Sequence, residues 1–145
     1  IYVVYIMDLE CLKKALDNES NHGVENLTSS MIKQIKNDML QQLQLPRDKL
    51  KTMHSKLKDY RYVDDLTGLQ YGRFIRWISL KNPEKINLTN GAHIVDIKIE
   101  KNGIHVLCRN SRNNFFQLRI DEHMIFQKLT DQEQILISAM DYLQK

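Results

Sequence analysis

The sequence predicts an α+β protein in which helices flank a small antiparallel sheet. Between Gly72 and Leu129, five short runs alternate apolar with polar residues, which is the period of a half-buried strand. Before and after this stretch, apolar residues recur at helical spacing instead. The predicted strands cover 72–80, 92–99, 104–108, 115–120 and 124–129.

Turn residues between these runs predict hairpins. Asn90-Gly91 precedes the second run, and Lys101-Asn102-Gly103 separates the second run from the third. Asn and Gly accept the positive φ angles that tight hairpin turns require. Five short antiparallel strands joined in this way favour a small closed β-barrel, either Src-homology-3-like or oligonucleotide-binding-like. An open meander with a helix across one face is the alternative arrangement.

The chain begins with the apolar run Ile1–Met7. This run is far shorter than the ~20 residues of a membrane-spanning helix, and it lacks the basic leader of a signal peptide. We expect it to add to a sheet edge or to be covered by a partner. Residues 8–17 then predict a short helix, and residues 18–23 predict a polar loop.

A helical hairpin is predicted next. The first helix begins at about Ser29, with Ser29 or Ser30 as its cap, and Pro46 ends it because the residue before a proline avoids the α region. The second helix follows Pro46 directly. The apolar faces of the two helices are formed by Ile32, Ile35, Met39, Leu43, Leu50, Met53 and Leu57.

The last predicted helix begins at Thr130, which forms a capping box with Glu133. The predicted organisation is an N-terminal segment and loop over 1–23, a helical hairpin over 24–60, and the barrel with its C-terminal helix over 61–145. We expect 24–60 and 61–145 to form one compact unit. Residues 59–71 are interpreted as the joint between the helices and the sheet.

The amino-acid composition limits the classes of protein to which the chain could belong. The chain has 145 residues, of which 42% are hydrophobic and 27% charged, and these values are typical of one globular domain. The two cysteines, Cys11 and Cys108, form no CxxC pair, which indicates a reducing compartment. We therefore expect an intracellular protein without a membrane span.

The formal net charge is only +3, but both ends of the chain are acidic and the centre, 31–120, is strongly basic. In the centre, cations alternate with aromatic residues, a mixture that lets single-stranded bases stack while cations contact phosphates. The candidate nucleic-acid-binding residues are Arg73, Arg76, Trp77, Arg109, Arg112, Phe115 and Arg119. Alternatively, Trp77 and Phe74 belong to the core. Their odd spacing places them on opposite faces of the strand, so one of them is on the outer face or covered by a helix.

No pattern in the sequence predicts a reaction. Tyr62-Val63-Asp64-Asp65 looks like the Tyr-x-Asp-Asp turn of reverse transcriptases, but the third aspartate and the large polymerase palm have no counterpart here. We expect these aspartates to cap a turn or to pair with Arg61 or Arg73. The five histidines lack the spacing of a zinc site. We therefore expect no catalytic residues, no cofactor and no metal.

Four blocks of the chain resemble small uncharacterised proteins encoded by nucleocytoplasmic large DNA viruses. These blocks are Lys56–Leu66, Tyr71–Ile78, Leu88–Gly91 and Ile125–Gln134. The likeness spans about residues 31–145 and brings no catalytic residues with it. It implies a setting in the cytoplasm or nucleus of a host cell, or within a virion.

Two functional hypotheses follow from these observations. The first is a non-enzymatic viral assembly or adaptor protein that acts through contacts with other proteins or with itself. The second is a nucleic-acid-binding module that uses a basic, aromatic surface on the barrel.

Overall fold

The computed structural model describes residues 9–144 and confirms the α+β class. The helices are α1 (Leu9–Asp17), α2 (Ser29–Gln41), α3 (Arg47–Lys56) and α4 (Asp131–Leu143). The strands are β1 (Tyr60–Val63), β2 (Phe74–Ser79), β3 (Ala92–Glu100), β4 (Gly103–Arg109), β5 (Phe115–Arg119) and β6 (His123–Lys128). The apolar run Ile1–Met7 lies outside the described residues. Over 9–144, no helix combines the length and the apolar character needed to cross a bilayer.

The chain divides into two compact units. One consists of the residues up to 34 together with those from 129 onward, and the other is 35–128. The predicted division into 1–23, 24–60 and 61–145 stays a prediction.

In the first unit, α1, the start of α2, and α4 bury Ala15, Val24, Ile32, Leu136 and Ile137. The predicted capping box between Thr130 and Glu133 is present at the start of α4. The predicted caps of α2 are wrong, because Thr28 Oγ1 accepts from the Met31 N–H at 3.2 Å. Ser29 instead donates its backbone N–H to the Asp141 carboxylate at 2.7 Å. The polar loop predicted over 18–23 is a short 3₁₀ helix, Glu19–Val24, capped by Asn18.

The second unit contains a six-stranded antiparallel sheet with the order β1-β6-β2-β3-β4-β5. The prediction of a closed five-stranded barrel is therefore wrong, because the sheet is open. All five predicted strands exist, and their ends differ from the prediction by at most a few residues. The sixth strand, β1, lies in the segment that was interpreted as a joint.

The extra strand accounts for the open sheet. Every residue of β1 pairs with β6, from Tyr60 opposite Lys128 to Val63 opposite Ile125. The other side of β6 pairs with β2. A barrel built from the five predicted strands would close where β5 meets β6, but β1 already occupies that edge of β6. As a consequence, β5 remains at the end of the sheet.

One face of the sheet, here called the inner face, forms its own core. Ile94, Val106, Cys108 and Ile125 are at most 1% exposed there, although none of the α-helices in the described part of the chain contributes to this cluster. The ring of Trp77 on β2 lies 5.7 Å from the ring of Phe116 on β5. In a flat sheet these strands would be about 14 Å apart. The sheet therefore curves so that β5 approaches β2 over the inner face.

Among residues 9–144, the helices that cover the opposite, outer face lie over β1, β6 and β2. There, Leu40 of α2 and Met53 of α3 pack with Leu57, Tyr60, Phe126 and other apolar residues of the cluster. Phe74 packs against this cluster, whereas Trp77 lies on the inner face. The prediction that these two side chains lie on opposite faces, with one of them on the outer face, is confirmed.

A buried lysine ties β1 to the helices. Lys36 is 4% exposed, and its Nζ donates to the carbonyl oxygens of Leu57 at 2.7 Å and Tyr60 at 3.0 Å. Leu57 follows the last turn of α3, where carbonyl groups lack helical partners and favour a cation. The edge formed by β1 is therefore short and partly engaged by a side chain.

Gly91 sits where β2 approaches the start of β3. Its φ is +100°, and a Cβ there would lie 2.6 Å from the Ile75 carbonyl oxygen and 2.6 Å from the Phe74 ring. Gly72 also has a positive φ, +79°, but a Cβ there would meet nothing within 4 Å.

Gly91→Ala should therefore lower the free energy of unfolding by well over the roughly 1–2 kcal/mol that a left-handed L-residue costs. Gly72→Ala should lower the free energy of unfolding by only about 1–2 kcal/mol, because the added Cβ strains the backbone without a steric clash. Urea denaturation of both variants measures the difference. Equal losses would contradict the close approach of Gly91 to β2.

Candidate interaction surface

The outer face over β3, β4 and β5 carries polar and aromatic side chains in place of a helix. His93, Lys98, Arg109, Phe115 and Gln117 are all exposed on these strands. Antiparallel pairing places residues that are opposite one another on the same face. The strand registers therefore define which of these side chains are neighbours.

The first set of neighbours is a row across four strands. Phe74 pairs with His93, His93 with Arg109, and Arg109 with Phe115. The rings of Phe74 and His93 are 5.0 Å apart in an edge-to-face arrangement. Phe115 is 60% exposed at the open end. We call these four residues the aromatic–basic row; it offers aromatic rings and the guanidinium group of Arg109 to a ligand lying on the sheet.

A second row, at the other end of β4, contains Lys98, His105 and Arg119. His105 is 6% exposed, and its Nδ1 accepts from the Gln117 amide nitrogen at 3.0 Å. The neutral ring then carries its hydrogen on Nε2 and donates to Asn102 Oδ1 at 3.0 Å. This histidine therefore joins β4, β5 and the β3–β4 turn.

The free edge of β5 is the second feature of the surface. At the hairpin end, the Asn110 N–H donates to the Asn114 carbonyl at 3.0 Å. Hydrogen-bonded and non-bonded pairs alternate along an antiparallel ladder, so Phe116 and Leu118 direct their backbone groups toward β4. Phe115 and Gln117 direct theirs outward. The Arg119 N–H also points outward, while its carbonyl accepts from His123 Nδ1 at 2.8 Å.

Among residues 9–144, this edge lacks the usual protection against strand pairing. Edge strands are commonly blunted by proline, lysine, a bulge or a covering segment. The sequence of β5 is Phe-Phe-Gln-Leu-Arg, without proline or lysine. Its register with β4 is regular, and Phe116 is 38% exposed beside the 60% exposed Phe115.

The residues predicted to bind nucleic acid separate into four groups. Trp77 is 6% exposed in the inner core, which does not leave its faces open to bases. Arg109, Arg112 and Phe115 lie together on the exposed β4–β5 hairpin. Arg119 lies on the same face but forms ion pairs with Asp121 at 2.9 Å and Glu122 at 3.5 Å.

The two remaining arginines bind backbone carbonyl groups. Arg73 donates to the Lys128 carbonyl at 2.8 Å and to Gln70 Oε1 at 3.1 Å. Arg76 donates through Nε to the Thr89 carbonyl at 2.8 Å. These contacts join β2 and the residue before it to the end of β6 and to the segment that precedes β3.

Sequence reasoning missed His93 and Gln117 as members of the surface. The turn at Lys101-Asn102-Gly103 is a partial signal, and it bears on His93 only. Counting outward from that turn gives the β3–β4 register, apart from the bulge between Ile94 and Asp96. The bulge shifts the pairing by one residue, so counting alone would have placed His93 on the wrong face.

In the Tyr62–Asp65 motif, the second aspartate, Asp65, has a structural role. Asp65 caps the 3₁₀ turn Leu66–Gly68, accepting from Thr67 Oγ1 at 2.6 Å and from the Gly68 N–H at 3.2 Å. The Thr67 hydroxyl is the main cause that lowers the pKa of the Asp65 carboxyl. The prediction that these aspartates cap a turn is confirmed for Asp65.

The potential metal ligands within residues 9–144 are dispersed. No three His, Cys, Asp or Glu side chains in that range are grouped so as to hold a metal ion. One groove of about 340 Å³ borders α3, with Lys49, Met53, Lys56 and Leu88 in its lining. The same lining contains Asp48 and Thr52, and the Thr52 hydroxyl donates to the Asp48 carbonyl oxygen at 3.0 Å.

No protein-family model, curated protein or solved structure matches the chain.

The two cysteines differ in environment. Cys11 is exposed, whereas Cys108 is buried on the inner face, where desolvation raises the pKa of its thiol to about 12. The thiolate is the nucleophile toward thiol reagents.

We predict that Ellman's reagent titrates one thiol per native chain at pH 8 and the second only after denaturation. Rapid reaction of both thiols in the native protein would contradict the buried inner face.

Proposed function

We propose that the chain is a non-enzymatic assembly or adaptor protein that binds extended segments of other proteins at the edge of β5. The observation that carries this proposal is the set of outward backbone groups on Phe115 and Gln117, beside two exposed phenylalanines. Strand addition uses such groups for affinity and the flanking side chains for specificity.

Two further features support this assignment. The opposite edge, β1, is only four residues long and its Tyr60 carbonyl is engaged by Lys36, so β5 is the better edge for a partner. Phe115 and Phe116 point to opposite faces and could each pack against a side chain of the incoming strand. The viral setting implied by the sequence resemblance is part of the proposal: a protein that acts inside an infected cell or a virion.

Selection of random heptapeptides displayed on phage provides the test. Peptides selected on the wild-type chain should bind Gln117→Pro at least about tenfold more weakly, because proline removes the outward N–H and places a ring on the edge. Gln117→Ala is the matched control, since it loses the side-chain contact with His105 but keeps the N–H. Peptides that bind all three proteins equally, or no enrichment at all, would contradict strand addition.

A second candidate function is binding of single-stranded nucleic acid on the outer face. The aromatic–basic row favours it, because Arg109 and Phe115 are adjacent, exposed and uncovered by a helix. A base could stack on Phe115 while Arg109 and Arg112 contact phosphates.

For this candidate, we predict that binding to a single-stranded oligonucleotide weakens as salt rises. Phe115→Ala and Arg109→Ala should each weaken it about tenfold, within the range measured for one stacked base. The matched controls are Tyr71→Ala and Arg47→Ala. Tyr71 is an aromatic residue outside the row that is 65% exposed, and Arg47 is an exposed residue of α3. Fluorescence anisotropy at low salt measures the effect. Absent binding, or equal losses in the controls, would remove this candidate.

A further inference from the structure

The edge of β5 has the chemistry of a surface that pairs with itself. We infer that two copies of the chain form a symmetric dimer by antiparallel pairing of β5 with β5, about a twofold axis at Gln117. This inference rests on the proposed strand addition and names a second copy of the chain as the partner.

The register follows from the outward groups. Only pairs formed by Phe115, Gln117 and Arg119 can use the free donors and acceptors of the edge. A twofold axis at Gln117 pairs Gln117 with its own copy and Phe115 with the partner's Arg119. This arrangement provides about four backbone hydrogen bonds, two between the Gln117 residues and two from the Arg119 N–H groups to Phe115 carbonyls.

Side chains on both faces are complementary in this register. On the outer face, each Phe115 lies opposite the partner's Arg119, so that the guanidinium can stack on the exposed ring. On the inner face, Phe116 lies opposite the partner's Leu118, so that its exposed part becomes covered by an apolar side chain. Each contact occurs twice, as an interface between identical surfaces requires.

The charges at the two ends of β5 also fit the register. The hairpin tip before β5 carries Arg112, and the turn after β5 carries Asp121 and Glu122. Antiparallel pairing brings the basic tip of one copy toward the acidic turn of the other. Asp121 is 63% exposed and available there, although it already contacts Arg119 of its own chain. Opposite charges at both ends disfavour the parallel arrangement, which would bring like charges together.

The register can be tested by oxidation of single cysteines in a Cys11→Ser background. Gln117→Cys places two thiols in a directly opposed, hydrogen-bonded pair, whose Cα atoms are about 5.5 Å apart and within the range of a disulfide. Phe115→Cys is the matched control, since its two copies would lie about 14 Å apart along the strands. Both residues are exposed, and Phe115 is 60% exposed, so random collision would not favour Gln117→Cys over the control.

We expect Gln117→Cys to form a disulfide-linked dimer at least tenfold faster than Phe115→Cys. Analytical ultracentrifugation of the wild-type chain should show a dimer that Gln117→Pro disrupts. Ser111→Pro, which places a proline at a turn position of the same hairpin, should leave the dimer intact.

Two results would overturn the inference. One is a wild-type chain that stays monomeric at several hundred micromolar, and the other is equal oxidation rates for the two cysteine variants. If either result occurs while selected peptides still bind the β5 edge, strand addition stands and only self-pairing is wrong. If the peptides also fail to bind, both proposals are wrong.

Discussion

The pairing of β1 with β6 is the constraint on which the rest of the second unit depends. A strand has two edges, and β6 uses one for β2 and the other for β1. The sheet curves so that β5 approaches β2, and β6 has no edge left to pair with β5. The sheet therefore keeps the curvature and inner core of a barrel while leaving β5 open. The free edge is a consequence of this one additional strand.

The same strand marks the limit of what the sequence could predict. Long alternating runs such as 92–99 and helical runs with caps such as Thr130 and Glu133 were correctly assigned, because each carries its own periodicity. Tyr60–Val63 is only four residues long and lies among polar and charged neighbours. Its alternation is too short to distinguish from a loop. Missing it changed the predicted architecture from an open sheet to a closed barrel.

The candidate surface was predicted in part, for a similar reason. Alternation assigns residues to two faces but does not say which face is covered. Trp77 and Phe115 looked equivalent as aromatic residues among arginines, and only the curvature of the sheet buries the first and exposes the second. Arg73 and Arg76 likewise looked available, whereas their guanidinium groups bind carbonyls from segments remote in sequence. Such contacts require the tertiary structure.

The two proposed uses of the surface are compatible. In the β5 pairing, the aromatic–basic row of one copy continues into the row of the other that contains Arg119, His105 and Lys98. A dimer would therefore present a longer basic, aromatic strip than one chain alone. Binding of nucleic acid to that strip would strengthen the dimer by mass action, because the ligand contacts both copies.

The central claim is that the outer edge of β5 is open, and hydrogen exchange of its backbone amides tests this claim most directly. The measurement is made by NMR on Gln117→Ala at a concentration where the chain is monomeric. The account predicts fast exchange for the amides of Phe115, Ala at position 117 and Arg119, with strong protection of Phe116 and Leu118 between them. Equal protection of all five amides would show that the edge is covered and would contradict the account.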